Sequence, residues 1–309
     1  MSRWRALRFD FSAMASPCSL LLDGQDERVM RRAAKAAIAE VQRIEHKFSR
    51  FRAASVISSI NRAAGMAAVP VDAETMGLLD FAQALWVQSE GLFDITSGVL
   101  QRAWDFKQAK RPTATQLQAL LPLVGLQGLE RQGRKVRLTQ PGMTLDFGGF
   151  GKEYAADRAA AVLQSHGFAH ALVNLGGDLH ALGGRGLPEL QGTAWQIDMA
   201  HPRPDTASAA KTLATLALSR GGLATSGDYE RFFIQDGVRY CHVLNPQTGW
   251  PVSHWQSISV LTSNTTTAGA AATIAMLKGP NAVDWLQSQN LRYLAVQHDG
   301  QVLRGPSAC

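Results

Sequence analysis

A glycine-rich turn ending in a lysine, Asp146-Phe-Gly-Gly-Phe-Gly-Lys152, stands directly ahead of a helical pattern. Glycines before a helix N-terminus let backbone N–H groups approach an anion, and the helix dipole favours negative charge there. Lys152 adds a full positive charge, so the segment has the chemistry of a phosphate cradle. It is neither GxxxxGK nor GxGxxG. Read by itself, a tight turn with a surface lysine explains it equally well.

Four further segments carry more glycine and polar residues than packing requires. Asn174-Leu-Gly-Gly-Asp178 ends an apolar strand pattern, where polar groups commonly line a cleft; a strand-ending turn is the plainer reading. Thr225-Ser-Gly-Asp-Tyr-Glu-Arg231 precedes Tyr240-Cys-His-Val-Leu-Asn-Pro-Gln-Thr-Gly249. Ser226 has no GxSxG setting for a nucleophile, and a lone histidine such as His242 is more often structural than chemical. Thr265-Thr-Thr-Ala-Gly-Ala-Ala-Ala-Thr273 is a small-residue helix that lets a neighbour or a ligand approach closely. Gly91-Leu-Phe-Asp94-Ile-Thr96 joins an aromatic, a carboxylate and a hydroxyl, with Trp104 and Phe106 downstream. Such rings can stack on a planar ligand, although core positions are commoner for them.

The elements that must position these segments follow from apolar spacing and punctuation. A strand is expected over 16–22, closed by Asp23-Gly24, then a helix from Asp26 to Lys47 with Ala37, Val41, Ile44 and Phe48 on one face. Asp72 is the expected N-cap of a second helix to Ser89, with Leu78, Leu79, Ala82, Leu85 and Trp86 inward and Gly91 as its stop. Residues 105–128 read as a connector in which Pro112-Thr113 opens a short helix, and Gln132-Gly133 as a hairpin turn. A helix over 152–166 leads into a strand over 171–175. Strands are expected near 195–199, 231–234 and 257–262, helices over 266–278 and 281–289, and a last hairpin at Asp299-Gly300. Pro202-Arg203-Pro204-Asp205 reads as a loop. Strands and helices without a strict βαβ rhythm argue an α+β fold over a doubly wound sheet.

With 309 residues, 46% of them apolar and 18% charged, the chain can bury one large core. Its net charge of +6 favours anionic partners modestly. The basic stretches Arg28 to Lys35 and Arg131 to Arg137 are short and lack interleaved aromatics, so no nucleic-acid partner is expected. Cys18, Cys241 and Cys309 are too widely spaced for a CxxC zinc site or a disulfide framework, which suits a reducing compartment. No apolar run approaches the ~18 residues of a membrane span, and no apolar segment follows the charges of the first residues. The chain reads as cytoplasmic.

Taken in order, these segments resemble the ApbE family of FAD:protein FMN transferases over about Met14 to Gly279. The resemblance rests on Met14-Ala-Ser16, Phe48-Ser-Arg-Phe51, Ser55, Asn61, Gly91 to Thr96, Leu100 and Trp104. It continues through Asp146 to Lys152, Tyr154, Asp157, Leu175-Gly-Gly-Asp178, Thr225-Ser-Gly227, His242, Pro246, Thr248-Gly249 and the helix to Thr273. It implies a single T-fold-related domain over 1–309, with mixed sheets, flanking helices and a ligand cleft between two lobes. It also implies an enzyme that binds FAD with Mg²⁺ and moves FMN to a threonine or serine of an acceptor flavoprotein, releasing AMP. On this resemblance Met14, Phe51, Leu92, Phe93, Asp94, Asp146, Lys152, His242 and Val243 contact FAD, with His242 and Lys152 catalytic. Gly149 and Thr273 hold the metal.

One departure bears on the chemistry. The family's metal-binding helix reads A-D-A-x-x-T, and here Gly269 stands where that aspartate is expected. Loss of the anionic ligand implies weak Mg²⁺ binding unless a displaced acid such as Asp178 or Asp228 replaces it, and restoring aspartate at 269 is expected to tighten it. A non-catalytic flavin-binding or flavin-delivery protein, or an FAD pyrophosphatase, are the alternatives this departure leaves open. Lesser departures are Ala15 for glycine, Val56 for glutamate and Asn245 for aspartate.

Overall fold

The computed structural model describes residues 4–203 and 211–306. The first three residues, the Pro204-Asp205 half of the expected loop, and Cys309 lie outside the described residues.

The chain opens with a hairpin, β1 (Arg5–Ala13) and β2 (Ser16–Gly24), of which sequence reading found only the second strand. β1 is an edge strand whose Leu7, Phe9 and Phe11 face inward while Arg8 and Asp10 between them face water, the period-two alternation of a half-buried strand. α1 (Glu27–Phe48) starts where expected, because Asp26 accepts hydrogen bonds from the Arg28 and Val29 amides. Its buried face is Ala33, Ala37, Val41, Ile44 and Phe48.

Between α1 and the next long helix two short elements went unread, α2 (Val56–Arg62), capped by Ser55, and β3 (Val69–Pro70), as did four strands further on, at Asp178–Ala181, Thr212–Leu218, Gly221–Gly227 and Val238–Cys241. α3 (Ala73–Gln88) is capped by Asp72 and ends ahead of Gly91 at φ +82°. α4 (Ala114–Leu120) starts in a capping box between Thr113 and Gln116. The hairpin of β4 (Leu129–Gln132) and β5 (Lys135–Leu138) turns at the expected glycine.

α5 (Gly151–Ser165) follows the glycine-rich turn and feeds β6 (Ala171–Leu175) and β7 (Asp178–Ala181). Next come β8 (Trp195–Ala200), β9 (Thr212–Leu218), β10 (Gly221–Gly227), β11 (Phe232–Gln235), β12 (Val238–Cys241) and β13 (Trp255–Thr262). α6 (Thr265–Lys278), α7 (Ala282–Ser288), β14 (Arg292–Gln297) and β15 (Val302–Arg304) end the described fold. No helix among the described residues is long and apolar enough to cross a membrane.

The fold is α+β. Eight strands form one antiparallel sheet in the order β1-β2-β6-β7-β10-β13-β14-β15. α1, α5 and α6 pack side by side, α1 against β1 and β2 and α6 against β10 and β13. β6 is apolar on both faces for a visible reason. Ala171, Val173 and Leu175 point to the helices, while Leu172 points to a second cluster with Trp195 and Leu218 of the β8–β9 hairpin. Small residues set the helix spacing: Ala155, Ala156, Ala159 and Ala160 of α5 are all buried.

α6 is fixed at its start by α5. Asp157 accepts from the Thr265 and Thr266 amides at 2.7 and 2.8 Å and from the Thr266 hydroxyl, and His180 Nδ1 lies 2.6 Å away. A carboxylate at a helix N-terminus satisfies orphan amides and complements the helix dipole.

Candidate active site

A cleft of about 1670 Å³ opens where the separate segments meet. Met14 of the β1–β2 turn, Phe51 after α1, Leu92, Phe93 and Asp94 after α3, and Asp146, Gly149 and Lys152 before and in α5 all line it. So do His242 and Val243 after β12 and Thr273 of α6. Every residue singled out for FAD or metal contact therefore reaches one cavity.

The walls are held by their own polar groups. Asp146 accepts from the Gly148 amide at 2.9 Å and pairs with Arg50 Nε at 3.0 Å, which ties the glycine-rich turn to the end of α1. Asp94 accepts from the Thr96 amide and hydroxyl and from the Leu126 amide at 2.9 Å. It lines the cleft as the keystone of its loop. Asn61 grips the segment leading into the turn, donating to the Leu145 carbonyl at 3.0 Å and accepting from the Leu145 amide at 2.6 Å. Gly149 has no room for a side chain, because a Cβ there would meet Phe93 Cζ at 2.8 Å. The close approach leaves its backbone open to the cleft, with no side chain capping the α5 N-terminus.

Lys152 is the cation of the site. Its Nζ lies 3.0 Å from Asp178 Oδ2 and donates to the Gly176 carbonyl at 3.3 Å. Burial pulls the Lys152 pKa down, but Asp178 and Glu153 outweigh it and hold the ammonium above its ordinary value. Glu153, next in the chain, is buried in α5; burial, then Asp178, pushes its carboxyl up to about 8. A Cβ on Gly269 would meet this Glu153 side chain at 2.5 to 2.8 Å. An aspartate at 269 would therefore require the Glu153 side chain to move.

His242 faces the cleft with Nδ1 buried and without a hydrogen-bond partner among the described residues, and its amide donates to the Arg231 carbonyl. Burial, then the charges of Arg231 and Lys152, lower its pKa to about 4. The imidazole is neutral at pH 7 and able to accept a proton. Phe51 is 81% exposed at the cleft, with the Arg50 guanidinium 4.5 Å from its ring centre. An aromatic left this open offers a stacking face.

Two expectations fail. Asp228 is no displaced metal ligand: it does not line the cleft, and both its oxygens accept from Arg203, at 2.8 and 2.6 Å. Asp178 does not line it either; it stands behind Lys152 as that residue's partner. Trp104, by contrast, takes the commoner core place: it is buried with Phe233 and Tyr240 and donates to the Gly249 carbonyl at 3.0 Å. Sequence reading missed Glu153, Arg50, Gln101 and Glu230. Arg50 and Glu230 carried a signal, their places in the Phe48–Phe51 and Thr225–Arg231 segments. Among the described residues no cluster of three or more His, Cys, Asp or Glu is poised for a metal.

Comparisons with known proteins bear on the family and the fold. The sequence pattern described as the ApbE family matches residues 14–295. An FAD:protein FMN transferase of Klebsiella pneumoniae (strain 342) is 32% identical over 269 residues, covering 85% of this chain and 80% of the relative. One from Treponema pallidum is 32% identical over 262 residues, covering 79% and 72%. The crystal structure of the ApbE protein of Thermotoga maritima superposes with a TM-score of 0.87 at 28% identity, covering 97% of each chain. The flavinyl transferase ApbE of Pseudomonas stutzeri gives a TM-score of 0.85 at 25% identity, covering 98% of this chain and 95% of that one.

Proposed function

This chain belongs to the ApbE family, and from that premise we propose that it is an FAD:protein FMN transferase acting on a threonine or serine hydroxyl of an acceptor flavoprotein. The observation that carries the reading is the convergence of Met14, Phe51, Phe93, Lys152, His242 and Thr273 on one cleft. At about 1670 Å³ the cleft is larger than the ~300–1,000 Å³ of ordinary small-molecule sites, leaving room for a dinucleotide and an incoming segment of protein. The match over 14–295 supports treating the 309 residues as one transferase domain.

In this reading the acceptor hydroxyl oxygen bonds to the phosphorus on the FMN side of the diphosphate. The bridging P–O bond breaks and AMP leaves with its electron pair. His242, neutral at pH 7, takes the hydroxyl proton. Lys152 faces the negative charge that gathers on the phosphate oxygens, and transfer of this kind depends on such neutralisation more than on covalent help. Phe51 stacks on the isoalloxazine, and the Phe93 loop closes the wall behind it.

The donor set suits Mg²⁺, which takes oxygen ligands and keeps waters and phosphate oxygens. The Gly149 carbonyl and the Thr273 hydroxyl would hold it, and once bound it supplies further neutralisation of the diphosphate. A reducing, cytoplasmic setting is proposed with the enzyme, supported by Cys18 and Cys241 being free buried thiols.

Incubation of the protein with FAD, Mg²⁺ and an acceptor carrying the accepting threonine tests the reading by mass spectrometry. Covalent FMN on the acceptor is the expected result. FMN and AMP without attachment would identify a pyrophosphatase, and FAD that binds and stays intact would identify a flavin-delivery protein.

A further inference from the structure

The side chain missing from residue 269 is replaced in space by another. A Cβ on Gly269 would lie 2.5 Å from Glu153 Cγ, 2.7 Å from Oε1 and 2.8 Å from Cδ. The carboxyl group of α5 is therefore packed against the α6 backbone at the spot where a carboxylate rooted in α6 would begin. Glu153 is 9% exposed, and its Oε2 is buried with no hydrogen-bond partner among the described residues. Leaving a buried carboxyl oxygen without a partner is costly, so the position suits a ligand.

The surrounding charges agree. Lys152 is bonded to Asp178 and to the Gly176 carbonyl, and Glu153 acts on that ammonium only through its field, with no direct contact between them. Thr273 lies one helical turn beyond Gly269 on the same face of α6 and lines the cleft, and Gly149 leads into α5 four residues before Glu153. A hydroxyl and a carbonyl on the cleft wall, and a carboxylate one layer behind that lining against Gly269, thus place three hard oxygen donors at the α5–α6 junction.

We propose that Glu153 is the carboxylate ligand of a divalent cation in this chain, reaching across from α5 to do the work of the aspartate absent from α6. The proposal deepens the flavin-transfer reading and rests on it for the diphosphate that shares the metal.

The test is Mn²⁺ binding to the FAD-saturated protein, followed by loss of the free-ion paramagnetic resonance signal. Glu153→Gln is expected to raise the Mn²⁺ Kd by at least about tenfold, with flavin binding and melting temperature retained. Glu153→Gly should do the same, and the double variant Glu153→Gly/Gly269→Asp should recover most of the affinity by returning the carboxylate to α6. Gly269→Asp alone should not tighten binding, because its side chain has no space beside Glu153. Unchanged Mn²⁺ titration in Glu153→Gln, or a double variant no tighter than Glu153→Gly, would overturn the proposal. So would a parent protein that holds no Mn²⁺. Should Mn²⁺ depend on Glu153 while no acceptor is ever flavinylated, the ligand assignment stands and the transferase reading falls.

Discussion

Lys152 reaches the cleft from a buried anchor: its Nζ sits 3.0 Å from Asp178 Oδ2, and Asp178 is 3% exposed. The acid lies on the inner side and the cleft on the outer, so the ammonium is aimed before any ligand arrives. Preorganised charge of this kind costs no reorganisation during reaction. Lys152→Met should lower kcat by about 10²–10³, read in single-turnover transfer. It should also cost about 3–5 kcal/mol of stability by stranding buried carboxyls, read as a shift in the urea midpoint. A variant as stable as the parent would show that Asp178 is satisfied without Lys152.

Asp157 holds the α6 N-terminus, and with it Thr273, at the cleft. Replacing it by asparagine removes charge-assisted bonds to two amides and a hydroxyl, a loss of about 2–3 kcal/mol. Burial raises the Asp157 pKa, but His180 and the Thr266 and Thr265 donors outweigh it, leaving it below its ordinary value of 3.8. A depressed carboxyl stabilises the fold above the unfolded-state pKa, and that contribution drains away as pH falls through the folded value. The stability gap between parent and Asp157→Asn should therefore be flat from pH ~5 to ~8 and narrow below pH ~4. Paired urea titrations across that range check it.

His242 gives a pH dependence of another origin. Its folded pKa of about 4 lies below the ordinary 6.5, so unfolding takes up a proton between those values. Its contribution is fully present above 6.5 and is lost as pH falls toward 4. Bound phosphates oppose the positive field of Arg231 and Lys152, so FAD should raise the His242 pKa; NMR of the ring with and without FAD measures this. His242→Asn should lower kcat by about 10²–10⁴ and abolish the acid limb of the kcat profile, with KM for FAD little changed. An intact acid limb would exclude it as the base.

What could be read in the sequence follows from how local each signal is. Asp26, Asp72 and Thr113 mark helix starts because a cap acts on amides two or three residues away. β6 was legible from its apolar residues, broken only at Asn174. β1 was overlooked although Leu7, Phe9 and Phe11 alternate with Arg8 and Asp10, whereas β10 was not legible, because its Gly221-Gly222 start reads as a turn. Site residues tied to glycine turns were found with their segments. The role of Glu153 was invisible, since one exposed-looking glutamate on a helix says nothing of a glycine 116 positions later until α5 and α6 are packed together.

Phe51 separates binding from folding. It is 81% exposed and contributes little to the core, so Phe51→Ala should leave the melting temperature within a degree or two of the parent. Loss of a stacking face costs ~1–1.5 kcal/mol, about a tenfold rise in FAD Kd. Flavin fluorescence titration measures it. An unchanged Kd would place the isoalloxazine elsewhere in the cleft.

The β1–β2 turn carries strain that a single substitution can release. Ala13 pairs with Ser16, so Met14 and Ala15 are the two residues of a tight hairpin turn, at φ 50° and 58°. Both lie in the left-handed region that such turns require, and an alanine there costs about 1–2 kcal/mol relative to right-handed conformations. Glycine avoids that cost but gives back ~0.5–1 kcal/mol through its freer unfolded chain. Ala15→Gly should therefore stabilise the protein by about 0.5 kcal/mol net, seen as a higher urea midpoint at constant slope. The nine-residue pairing of β1 with β2 fixes the register on both sides, so Met14 should stay at the cleft and FAD Kd should stay within about twofold. A lower midpoint would mean that the Ala15 methyl contributes packing at the cleft worth more than the strain it imposes.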